Sequence, residues 1–167
     1  GLVDERWVTP NDAESNERLV RLHLLHGRAG AAGFLPMWMP ARSCAEAAAE
    51  RDAAYAPHCV AASFVLLGMG ADGHTASWFP GMLGLADVAT SGESGAVAAV
   101  MAPAARTAQR MTLTGTAISR AKTAALLVFG DEKRAKLETA RKADPLHCPV
   151  RFAIDGLGDR LKIMWAP

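Results

Sequence analysis

The chain has 167 residues and a mass of 17.6 kDa; half of its residues are apolar, 21% are charged, and the mean hydropathy is +0.09. That is one domain's length with enough apolar surface for a core, and it excludes disordered, collagen-like and membrane-embedded compositions. A net charge of +1 removes the basic stripe that nucleic-acid binding needs, yet leaves room for the two or three local cations that a small anion requires.

The predicted elements follow in chain order. Residues 1–8 read as a short charged strand, followed by a turn at Thr9-Pro10-Asn11-Asp12. Ser15 caps a helix over residues 16–26, where Leu19, Val20, Leu22, Leu24 and Leu25 make a broad apolar face and Gly27 ends it. Ser43 with Glu46 is a capping-box pattern that opens an alanine-rich helix running to Ala56 and stopping before Pro57. Residues 60–67 form a continuous apolar run that ends in a glycine-rich loop, the pattern of a strand buried on both faces. After a Gly/Ser stretch near residues 90–95, residues 96–101 and 124–129 repeat that pattern. Helices are expected over 116–122 and 131–143, and a last strand at 161–165. This alternation predicts a single α/β domain with right-handed crossovers and a ligand site at the carboxyl ends of its strands.

Cys44, Cys59 and Cys148 are widely spaced and form no CxxC pair or zinc-spaced His/Cys cluster, the pattern of reduced thiols. The longest apolar runs are too short to cross a bilayer and no charged-then-apolar leader is present, so a cytoplasmic chain without a membrane partner is expected.

Chemistry concentrates in residues 66–81, LLGMGADGHTASWFPG, directly after the apolar run. Gly68, Gly70 and Gly73 let the backbone turn sharply and approach a ligand, presenting amide donors to a substrate oxygen. Asp72 can fix the tautomer of His74 while the other ring nitrogen takes a proton from water or substrate. A turn-capping Asp72 over a packed His74 is the plain alternative. Met37, Trp38, Met39, Trp78 and Phe79 read as core or pocket wall, and His23, His26, His58 and His147 as structural or exposed.

DERWV at residues 4–8, Ser15-Asn16, the 66–81 run, Gln109-Arg110-Met111-Thr112-Leu113-Thr114 and Gly130-Asp131-Glu132-Lys133 occur in the order in which similar motifs occur in the 6-phosphogluconolactonases. The chain resembles that family. The resemblance implies a three-layer, Rossmann-like, mostly parallel sheet with helices on both faces, of the NagB/RpiA-like kind. It implies hydrolysis of a sugar-phosphate lactone by a water that His74 activates and Asp72 helps to orient, without metal or organic cofactor. Arg6, Gly70 and Thr75 are then substrate-contacting, and Arg110 and Lys133 hold the phosphate, although a surface charge for Arg110 and an ordinary helix lysine for Lys133 are the bland readings. Residues 1–167 are expected to be one such domain lacking its first strand-loop-helix unit, normally monomeric but prone to associate without that unit. The alternatives are a glucosamine-6-phosphate deaminase/isomerase-like enzyme, disfavoured because Trp78-Phe79-Pro80-Gly81 lacks a further carboxylate, and a non-catalytic sugar-phosphate binder.

Overall fold

A computed structural model describes residues 1–60, 62–90, 95–102 and 107–167; most of the Gly/Ser stretch near residues 90–95 lies outside them. Among the described residues, six strands form two three-stranded sheets. β2 (Phe64–Gly68), β5 (Thr123–Phe129) and β6 (Leu161–Ala166) are parallel, with β5 in the centre. β1 (Asp4–Arg6), β4 (Gln109–Leu113) and β3 (Val97–Met101) are antiparallel, with β4 in the centre. The parallel half of the expectation is met by β2, β5 and β6, while the strand pairs of β1, β3 and β4 run the other way.

The described residues also form the α-helices α1 (Asn16–His23), α2 (Cys44–Val60), α3 (Leu85–Ala89), α4 (Gly115–Ser119), α5 (Asp131–Ala140) and α6 (Val150–Leu157). Ser15 caps α1 as its sequence demands, its hydroxyl accepting from Arg18 N at 3.1 Å. The helix ends at His23 because Leu24 and Leu25 both donate to Val20 O, which closes the last turn early. Ser43 accepts from Glu46 N at 3.2 Å, one half of the capping box; the Glu46 carboxylate instead takes Arg42 N.

Two expectations are corrected. α2 does not stop before Pro57 but runs through it to Val60, so the first residues of the 60–67 run are helical and β2 begins only at Phe64. β2 is also not buried on both faces: Val65 and Leu67 enter the core, while Phe64 and Leu66, on the opposite face, are exposed along an open groove. The central β5 meets the buried pattern on one face, with Ala124, Leu126 and Val128 sealed, while on the other Ala125 is buried and Phe129 exposed; β3 buries Val97 and Val100 but exposes Met101. One apolar core unites both sheets and includes Met37, Leu67, Trp78, Met111, Ile118, Leu126 and Val150. Gly115 opens α4 where a Cβ would lie 2.0 Å from Ala89 O, so only glycine lets the two segments meet.

Candidate active site

From the end of β2 the chain folds into a compact loop held by its own hydrogen bonds. Gly73 N donates to Gly70 O at 3.0 Å, Gly70 N to His74 O at 2.9 Å, and Thr75 Oγ1 to Gly68 O at 2.8 Å. Gly73 has φ +87°, and a Cβ on it would sit 2.6 Å from Cys148 Sγ; a Cβ on Gly70 would lie 2.3 Å from the His74 ring. The glycines therefore serve to bring the imidazole and α6's leading segment close. Their expected part as donors to substrate is not what the geometry supports, since the Gly70 and Gly73 amides are spent inside the loop. Thr75 likewise is fully buried and staples the loop.

Within this loop Asp72 Oδ1 takes both the backbone N–H of His74 at 3.0 Å and its ring Nδ1 at 2.6 Å. Partial burial pushes the Asp72 carboxyl up, but these hydrogen bonds and the nearby imidazole outweigh it and hold the group below the ordinary carboxylate range. A carboxylate can only accept, so Nδ1 carries a proton, and in the neutral ring Nε2 keeps its lone pair. The ring lies 4.6 Å from that of Phe79, tilted by 38°.

Arg6 and Arg110 are opposite one another in the β1–β4 register. Arg6 Nη1 donates to Glu14 O at 2.7 Å and Asn16 Oδ1 at 3.1 Å, so the start of α1 aims it. Arg110 donates through Nε to Thr107 O and lies over the Phe79 ring at 5.7 Å. Burial, then the neighbouring Arg6, lower the affinity of Arg110 for its proton, partly opposed by Asp4, Glu14 and Glu5. Two guanidiniums held side by side, one of them only 8% exposed, form a ready site for an anion. Phe79 thus neighbours both His74 and Arg110.

Lys133, in the first turn of α5, lines a groove of about 1170 Å³ together with Asp4, Asn16, Gly68 and Met69. It is thereby brought to the groove that holds the end of β2, but no contact joins it to Arg110. Lys136, one turn further along α5, packs on the loop itself, its Cε 3.0 Å from a Cβ built on Gly73. In the sequence Lys136 reads only as one more charge of the helix that Lys133 opens, although its i+3 spacing from Lys133 is visible.

A buried carboxylate missed by sequence reasoning supports the arginines. Glu5, with no exposed surface, accepts Arg6 N and Asn16 N on one oxygen and Ser15 Oγ and Glu17 N on the other, at 2.8 to 3.0 Å. Among the described residues no cluster of three or more metal-ligating side chains occurs, and no helix is long and apolar enough to cross a membrane.

Residues 1–165 match the family of glucosamine-6-phosphate isomerases/6-phosphogluconolactonase. The chain is 41% identical over 171 residues to a 6-phosphogluconolactonase of Xylella fastidiosa, covering 99% of this chain and 70% of that protein. It is 38% identical to one from Pseudomonas aeruginosa, covering 99% and 68%. The crystal structure of a 6-phosphogluconolactonase from Shewanella baltica superposes with a TM-score of 0.90 at 30% identity, over 99% of this chain and 70% of that one. A coincidence of motifs would not extend over the whole chain in both sequence and backbone: the chain belongs to the glucosamine-6-phosphate isomerase/6-phosphogluconolactonase family.

Proposed function

We propose that this chain is a 6-phosphogluconolactonase, a hydrolase that opens 6-phospho-D-glucono-1,5-lactone to 6-phosphogluconate in the oxidative pentose phosphate pathway. The observation that carries the reading is the Asp72–His74 pair at the end of β2, joined through Phe79 to the Arg6/Arg110 pair, in a chain whose relatives are lactonases.

In this reading the substrate's phosphate is held by Arg110 with Lys133, and Arg6 faces the sugar acid. His74 Nε2 takes a proton from water as the oxygen attacks C1 of the lactone, forming a tetrahedral oxyanion. As the intermediate collapses, the bond from C1 to the ring oxygen breaks. The imidazolium returns the proton to that oxygen, leaving a hydroxyl and a carboxylic acid that ionises. Asp72, kept ionised by its hydrogen bonds, stabilises the imidazolium between the two transfers. No further carboxylate is needed, in contrast to an aldose–ketose isomerisation, which moves a carbon-bound proton.

Location in the cytoplasm and self-association belong to the same proposal. Phe64 and Leu66 on the outer strand β2, with Leu19 and Leu24 across the groove, leave apolar surface of the kind that drives association. The test of function is a lactone-consumption assay with the wild-type chain and with Arg110→Ala, for which KM is expected to rise while kcat changes little. An Arg110→Ala variant with unchanged KM would remove the phosphate assignment.

A further inference from the structure

The alternation of a strand puts Asp4 and Arg6 on one face of β1, and the antiparallel register puts Thr112 opposite Asp4 and Arg110 opposite Arg6. That face therefore carries two successive cross-strand pairs: the arginines, and an Asp4/Thr112 pair. The second receives the loop that bears His74. Ser77, fully buried, donates its hydroxyl to Asp4 Oδ2 at 2.7 Å and its backbone N–H to Thr112 Oγ1 at 3.3 Å, while Thr112 Oγ1 donates to Leu113 O at 3.1 Å. Asp4 is tied in turn to the start of α1, its carbonyl accepting Asn16 Nδ2 at 2.9 Å; Asn16 is the residue whose Oδ1 aims Arg6.

The backbone between His74 and Ser77 is bent for this contact. Ala76 has φ +50°, a left-handed conformation that a residue with a Cβ seldom adopts. Trp78, directly after Ser77, is buried completely and donates Nε1–H to Leu113 O at 3.0 Å, so the loop is pinned to β4 at two consecutive residues. Ser77 reaches β1 as well, through Asp4.

We propose that Asp4 and Ser77 are positioning residues: their hydrogen bond sets the separation between the imidazole of His74 and the Arg6/Arg110 pair, and so fixes the reacting lactone carbon against the base when the phosphate is held. This rests on the lactonase reading. Neither side chain touches the proposed reacting atoms; both act through His74 and Arg6.

The test is a double-mutant cycle of Asp4→Ala and Ser77→Ala in the full chain, with Asp4→Asn as the conservative variant, since an amide oxygen can still accept the Ser77 hydroxyl. Rates are normalised to the folded fraction measured by circular dichroism. Each alanine variant is expected to lower kcat by about 10- to 100-fold, the cost of misplacing a reacting group by roughly 1 Å. KM should move less, the double variant should lose no more than the worse single one, and Asp4→Asn should recover most of the rate. A folded Ser77→Ala with wild-type kcat, or losses that multiply, would overturn the proposal. The amide NMR shifts of Gly73 and His74 read the same geometry without turnover and should move in both Asp4→Ala and Ser77→Ala. If they stay in place the clamp is refuted whatever the activity. If the wild-type chain opens no lactone while the shifts do move, the assigned reaction falls and the proposed link to its rate falls with it.

Discussion

At the scale of single residues, the site depends on carboxylates whose partners decide their charge. Asp72 is held ionised by the backbone and ring of His74, so the folded chain binds its proton less tightly than the unfolded chain. The stability this contributes is complete above the ordinary carboxylate range and is lost as pH falls through the lowered value. The gap in Tm between wild type and Asp72→Asn should therefore narrow on acidification, as a pH series of thermal melts would measure. Glu5 is the opposite case: burial pushes its carboxyl up against four donors that hold it down. In Glu5→Gln an NH2 must face N–H or O–H donors, and chemical denaturation should register a loss of about 1–3 kcal/mol. The sequence made Arg6 and Arg110 legible through the family resemblance. It did not reveal Glu5, Asp4 or Ser77, because apart from Arg6 N on Glu5 their partners named here are 10 to 73 positions away and nothing in local spacing announces them.

Among elements, the loop 68–78 carries the proposed base, and its backbone is as specific as its side chains. Ala76→Gly should relieve the left-handed strain and raise stability by up to ~1 kcal/mol, offset in part by the added freedom of the unfolded chain. Gly70→Ala is expected to do the reverse to function, because its methyl would occupy the space of the His74 ring; lactone turnover should fall far more than Tm. β5 and β6 were legible from apolar runs bounded by turn residues, as was the capped start of α1. The residues after Tyr55 were not: Pro57 signals a helix end, yet α2 carries on through it to Val60, whose apolar side chain had read as strand. The alternation of exposure in β2 was hidden for a related reason. Phe64 and Leu66 are as apolar as the core residues Val65 and Leu67, and burial is a property of neighbours rather than of the residue.

For the whole molecule, the two sheets divide the labour. The parallel sheet delivers His74 and, from the helix after β5, Lys133; the antiparallel sheet delivers Arg6 and Arg110; Phe79 and the Asp4–Ser77 contact join them. In the antiparallel half, residues 1–8 and 96–101 read as strands, but β4 and the antiparallel pairing did not, because Gln109, Arg110 and Thr112 give no apolar run to mark a central strand. The exposed apolar face of β2 is expected to make the chain associate as its concentration rises, and a Phe64→Lys, Leu66→Lys double variant should shift sedimentation toward monomer. The account stands most directly on the reactivity of His74. Lactone-consumption kinetics of the wild-type chain against His74→Ala should show a kcat lower by about 10²- to 10⁴-fold in the variant, with the fold retained. A folded His74→Ala chain that opens the lactone at the wild-type rate would contradict it.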